Sequence, residues 1–275
     1  MFSNLNKLLS PLSCGITLDL AILIEFKVKN LQPLPTTWSS QLEDICILSA
    51  LYDAINGTTF LKKTGFTCNK GKPIPNNISD ECLLKMWEHI TSLISDINEN
   101  LLRLKNINNP TDFDLWHEDL RCILVTSFNS HFTTEYFTHG NAQKFINVLL
   151  KNIAIFLHIN QSGITNKNII SLTSSSTIFG LYYIDLLNLK IFLHPVIDRI
   201  VLTNYSVLVN CSPSKTAQKF THSRDKAWSN LVSNDYCKII NQMRINLPNS
   251  MTLFEQEAVI FYAKDKVCLF NQIIK

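Results

Sequence analysis

Glycine is what this chain lacks. It has seven in 275 residues, where an average chain carries about 7%. Tight hairpins need Gly or Asn-Gly at positions of positive φ. The sole Asn-Gly pair, Asn56-Gly57, closes a helical pattern instead. A sheet of short hairpins is therefore the wrong expectation. The pattern predicts a mostly α protein: a single compact multi-helix domain over 1–275, with longer, Asn-rich connections. Candidate sub-boundaries fall near 106–111 and 211–224. The first 35 residues are the exception, reading equally as one or two short strands or as a helix packed flat. A hydrophobic content of 46% is enough for a sizeable core.

The helical segments can be placed by their punctuation. A helix over Ser40–Asn56 opens with a capping box, Ser40 to Glu43, and carries Leu42, Ile45, Cys46, Leu48, Tyr52 and Ile55 as a stripe. Residues 58–77 read as a loop, with lysines around Gly65 and Gly71. One long helix is predicted from Ser79 to about Leu104. Another starts at Thr111, after the Asn109-Pro110 break, and runs toward Phe128. A third spans Asn141 to about His158; its run from Phe145 to Leu157 is apolar nearly all round and so belongs at the centre of the core. After the apolar stretch Thr177–Leu193, a helix is expected from Pro195 to about Tyr205. Residues 211–224 read as a loop, two helices cover Asp225–Arg244, and a last one begins at Thr252.

Charge excludes some functions and leaves others open. Charged residues make up 17% of the chain, against about 25% in a typical soluble domain. A surface so poor in charge is weakly defended against association, which points to a protein that works against other protein subunits. The net charge of +3 is not that of a protein coated in nucleic acid. No apolar run spans a bilayer, because Asp19, Glu25, Asp185 and Lys190 interrupt the best stretches. No membrane partner is expected, and the location is intracellular, in cytoplasm or nucleus. The eight cysteines include no CxxC pair and read as reduced and structural. Their number, with the bias toward Lys, Ile and Asn that AT-rich codons give, fits a eukaryote or an accessory protein of a large DNA virus. The Asn-x-Ser/Thr sequons occur at the frequency that chance gives in so Asn-rich a chain.

Several groups of residues carry chemistry that deserves weighing. His131, Glu135 and His139 are spaced four and four, so on a continuous helix they share a face that suits zinc or iron. Without an HExxH dipeptide the pattern is equally a polar helix end. Asp112, Asp114, Glu118 and Asp119, with His117 among them, form a carboxylate cluster of the kind that binds magnesium or shifts its own acidities. Acids in a first turn also stabilise the helix dipole without any chemistry. Lys215, Lys219, His222, Arg224 and Lys226, interleaved with Phe220 and Trp228, are suited to phosphate or nucleic acid. Ser212-Pro213 at the head of that loop fits a proline-directed phosphorylation site. Cys68, Cys82 and His89 complete no four-ligand zinc pattern. Ser212-x-x-Lys215 and Lys63-Thr-Gly65 stand in the wrong order for a serine penicillin-binding enzyme. Glycine-rich phosphate loops and the GxSxG elbow are absent.

No catalytic residue and no cofactor are assigned from this pattern, and an enzyme is the lesser expectation. The expected function is a non-enzymatic helical subunit or adaptor of a larger intracellular complex. The alternative is a nucleic-acid-associated, transcription-type regulator acting through 211–228. A metal-dependent enzyme built on His131, Glu135 and His139 ranks behind both.

Overall fold

The computed structural model describes residues 42–55, 58–63, 80–162, 177–203, 205, 228–246 and 252–253. The ambiguous N-terminal segment, the 211–226 loop with Ser212, and nearly all of the C-terminal helix lie outside the described residues. Of the interpretable part, 77% is helical and none is strand, which establishes the mostly α class. No helix among the described residues is long and apolar enough to cross a membrane.

Helix α1 (Leu42–Ile55) buries Cys46, Ile47, Ala50, Leu51, Ala54 and Ile55. Of the predicted stripe, Cys46 and Ile55 are buried and Tyr52 is half-buried; the side chains of Leu42, Ile45 and Leu48 lie outside those described. The small Ala50 and Ala54 let α1 lie close along the long helix α6 (His139–Ser162). There Asn141 Nδ2 donates to the Ala54 carbonyl at 2.7 Å. Glu43 reaches out of its helix to accept from the Phe179 amide at 3.4 Å; Ser40, its expected capping partner, lies outside the described residues.

The sequence reads a loop from residue 58, but a short helix, α2 (Thr59–Lys63), begins there. The Thr58 hydroxyl donates to the Ile55 carbonyl at 2.7 Å and accepts from the Leu61 amide at 3.4 Å. That turn drives Phe60 into the core, edge-on to Phe128, Phe132 and Phe137.

The single long helix expected from Ser79 is two, α3 (Asp80–Ser92) and α4 (Ile94–Arg103). The Ser92 hydroxyl takes the His89 carbonyl at 2.6 Å, and the Leu93 amide bonds Ile90 three residues back at 2.9 Å. A serine competing for the backbone is enough to break the ladder at this point. A 3-10 turn, Leu104–Asn106, ends α4.

Helix α5 (Pro110–His131) is capped by Asn109, whose Oδ1 accepts from the Asp112 amide at 2.9 Å. It therefore starts before the predicted Thr111, with Pro110 in its first turn, and ends past Phe128. Asn129 then holds the backbone of Phe137 through both amide atoms, closing the 132–138 connection. Helix α6 starts two residues before the predicted Asn141. The Thr138 hydroxyl accepts from the Gly140 and Asn141 amides, and Asn141 Oδ1 accepts from the Thr138 amide at 3.1 Å. This is a reciprocal cap with asparagine in the usual glutamate place. As predicted, α6 is central, touching α1, α5, α7 (Tyr183–Leu189) and α8 (Ser233–Asn246).

Between α6 and α7, Phe179 and Gly180 both have positive φ in a turn closed by the Ile178–Leu181 bridge. After α7 and a turn at 190–192, residues 193–198 form no regular element. The expected helix begins only at residue 199, where Asp198 Oδ1 accepts from the Val201 amide at 2.9 Å. A cap at Asp198 outweighs the preference of proline for a first turn. In place of the first of two helices after Asp225 there is a 3-10 turn, Trp228–Asn230, followed by α8.

The buried apolar residues fall into two clusters. The larger joins α1 to α7 up to Val196; the smaller gathers Ile197, Val201, Leu202 and Tyr205 with Leu231 and with Tyr236, Ile239, Ile240 and Met243 of α8. Gly140 fixes the 228–231 turn on the start of α6: its amide bonds the Leu231 carbonyl at 3.1 Å. A Cβ there would lie 2.1 Å from the Trp228 carbonyl oxygen, against backbone that has nowhere to go. Gly140→Ala is expected to destabilise the protein by about 3 kcal/mol, the upper end of overpacking costs, read as a lowered urea midpoint. An unchanged midpoint would show that this approach is not tight.

Candidate functional site

The two clusters meet across a seam of polar side chains. From α5 come Asp114, His117 and Arg121, one helical turn apart and on one face. From α6 come Gln143 and Asn147, from the 193–198 segment His194, and from α8 Tyr236 and Arg244. His117, Arg121, Gln143, Asn147, His194 and Tyr236 are all buried.

Their hydrogen bonds form one chain with a single consistent direction. Arg121 Nε donates to His117 Nδ1 at 3.0 Å. His117 Nε2 must then carry its proton, toward Asn147 Oδ1 at 2.9 Å. Asn147 Nδ2 shares its two hydrogens among Tyr236 Oη, Gln143 Oε1 and the Pro195 carbonyl. Tyr236 in turn donates to His194 Nδ1 at 2.9 Å, and His194 Nε2 donates to Asp114 Oδ1 at 2.8 Å. Arg244 closes the end, gripping both oxygens of Asp114 at 2.6 and 2.7 Å. The direction holds only if both imidazoles are neutral with the proton on Nε2.

The electrostatics agree with that arrangement. Burial, with His194 and Arg121 nearby, pushes His117 well below an ordinary histidine. Burial lowers His194 to about 4, against the opposing pull of Asp114. Burial pushes the Tyr236 phenol up. For half-buried Asp114, burial works toward a higher value, but the bonds from Arg244 and His194 outweigh it and hold the carboxyl well below its ordinary range. Arg121 meets no carboxylate directly among the described residues. It lies over the Tyr236 ring, 4.5 Å from its centre, and reaches Glu118 only through Ser233, whose hydroxyl donates to Glu118 at 2.6 Å.

Asp114, His194 and Tyr236 have the outline of an acid–base relay. The phenol at its end is fully buried, however, and its oxygen is engaged by Asn147 and His194. The arrangement turns these buried donors and acceptors toward one another. Its chemical work is to join the two apolar clusters in one register.

The carboxylates of α5 do not converge. Asp112 bonds its own cap, Asp114 enters the seam, Glu118 takes Ser233, and Asp119 pairs at the surface with Arg103. His131, Glu135 and His139 are not on one helix: His131 ends α5, Glu135 lies in the connection, and His139 opens α6. Thr133 has φ +49°, so the helix stops between them. His131 instead stacks on buried His89 at 4.1 Å, while His89 Nε2 lies 3.2 Å from the Ser127 hydroxyl. Burial and the neighbouring His131 lower His89 to about 4. No group of His, Cys, Asp and Glu fit to hold a metal occurs among the described residues. Lys215, Lys219, His222, Arg224 and Lys226 lie outside them, as does Cys68. Trp228 is half-buried, and Lys144 Nζ sits 4.4 Å over its ring. Cys46, Cys122 and Cys237 carry no disulfide.

Sequence reasoning noticed Asp114 and His117 but read them as a helix start, and missed Arg121, Asn147, His194, Tyr236 and Arg244. The available signal was Gln143 and Asn147, one turn apart on a helix that is apolar nearly all round from Phe145 to Leu157. Tyr236→Phe leaves His194 Nδ1 without a donor, and is expected to cost about 1–3 kcal/mol in chemical denaturation, the range for an orphaned buried polar group. A cost near zero would place the seam outside the stabilising structure. No protein family, no curated protein and no solved structure matches the chain.

Proposed function

We propose that this protein is a non-catalytic helical subunit or adaptor, and that it meets its protein partner at the surface around the Leu104–Asn106 turn. One observation carries the reading. The elements flanking that turn expose four large apolar side chains: Leu102 at 44%, Leu115 at 58%, Tyr182 at 50% and Ile184 at 55%. Beside Leu115 lies an open groove of about 290 Å³, walled by Arg103, Asn106, Ile107 and Asp112 over buried Trp116. Large apolar side chains exposed beside a groove are the composition expected of an interaction site.

The charges at the rim favour protein over nucleic acid. Arg103 pairs with Asp119 at 3.4 Å, and Lys105 lies between Asp185 at 3.9 Å and the Tyr182 ring. With Asp112 in the wall, two cations face three carboxylates, whereas a phosphate backbone needs uncompensated cations. An apolar centre with a polar, paired rim is the usual composition of a protein interface. The partner expected is a protein presenting apolar side chains, with a few polar groups at its edge.

The test is recovery of the tagged protein from its native cells at two salt concentrations, beside Leu115→Glu and Tyr182→Glu variants whose fold is checked by circular dichroism. A stoichiometric protein that survives high salt and is lost with both variants is the expected result. Its retention by both variants contradicts the reading. Nucleic acid recovered at low salt, and lost on removing charge at Lys215, Lys219 and Arg224, favours the transcription-type alternative instead.

A further inference from the structure

We propose that the His117–His194 seam is an acid-released latch, which frees α8 from α5 while the rest of the helical core stays folded. The geometry that closes the seam at neutral pH is the geometry that fails on protonation. A proton on His117 Nδ1 would point at Arg121 Nε, itself a donor 3.0 Å away. A proton on His194 Nδ1 would displace the Tyr236 hydroxyl proton, whose oxygen already accepts from Asn147.

The balance of charge changes in the same direction. Facing these imidazoles are Asp114, Arg121 and, through Ser233, Glu118 of α5; Tyr236, Cys237 and Arg244 of α8; and, toward Arg121 and Glu118, His139 of α6. Gln143 and Asn147 add no charge. With both histidines neutral, two arginines face Asp114 and the more distant Glu118. With both charged, four cations share the same two carboxylates, and the two imidazole rings lie 4.8 Å apart. Such repulsion is strong where burial excludes water.

The contacts that would stay closed contain no group that titrates in this range. Gln143 holds the Ile197 backbone through both amide atoms, at 2.7 and 3.3 Å, and Gly140 holds Leu231. By contrast, α8 meets α5 through polar contacts of Ser233, Tyr236, Cys237 and Arg244 in the seam. Because the closed state holds its histidines below their free value of about 6.5, closure is complete above that pH. It is lost as pH falls toward the closed-state value, about 4 for His194.

Hydrogen exchange of the full chain from pH 7.5 to 4.5, corrected for the intrinsic rate, reads the opening of each helix separately. The α8 amides are expected to open about 100-fold more per pH unit once two protons are taken up, tenfold for each, while peptides of α5 and α6 keep their protection. His117→Gln and His194→Gln, which do not titrate, should each reduce that dependence to about tenfold. Loss of protection in α5, α6 and α8 together with one pH dependence would overturn the latch, since that is global acid unfolding. So would constant protection of α8 across the range, or an unchanged dependence in the folded variants. If a variant does not fold, the contrast between α8 and α5 in the unaltered protein decides.

Discussion

The fold depends on a hydrogen-bond chain with a direction. From the Arg121 guanidinium to the Asp114 carboxylate, each donor between α5, α6, the 193–197 segment and α8 finds one acceptor. Two apolar clusters of a helical protein can slide or rotate against each other at little cost if only oil separates them. A polar seam permits one register, because any other leaves buried amides and imidazoles unpaired, each at about 1–3 kcal/mol. Arg121 illustrates the constraint. It is a fully buried cation with no direct carboxylate among the described residues, held by an imidazole, a hydroxyl, a thiol and the face of Tyr236.

The helical class was legible in the sequence because it rests on composition and period: scarce glycine, the apolar faces of α1 and α6, and the Pro110 break. Helix ends were less so, since short polar side chains set them and several compete within a few residues. Asn109 rather than Thr111 caps α5, and Asp198 rather than Pro195 opens the 199–203 segment. The break at Leu93 was hidden for a related reason: Ser92 is an ordinary helix-surface residue until its hydroxyl takes a carbonyl of its own helix.

The seam was almost illegible, and physically this is expected. Its members lie as far apart as Asp114 and Arg244, and no local spacing announces that they meet. Each looks ordinary alone: an acid in a first turn, a histidine before a proline, an arginine near a helix end. The triplet His131, Glu135 and His139 shows the opposite error. Its spacing is regular, but a backbone turn at Thr133 separates the residues, and the His131 ring finds His89 instead. The groove beside Leu115 was also invisible, since an exposed leucine on α5 reads in sequence as one more core position.

His117, Arg121, His194 and Tyr236 turn their polar atoms toward one another, while Leu102, Leu115, Tyr182 and Ile184 stay exposed. The directed chain of the seam rests on the protonation of two imidazoles. Nitrogen-15 chemical shifts of the His117 and His194 rings at pH 7 test it most directly, because they distinguish the two neutral tautomers from the cation. Both rings are predicted to be neutral with the proton on Nε2. A charged ring, or the proton on Nδ1 of either, would contradict the directed chain and the seam built from it.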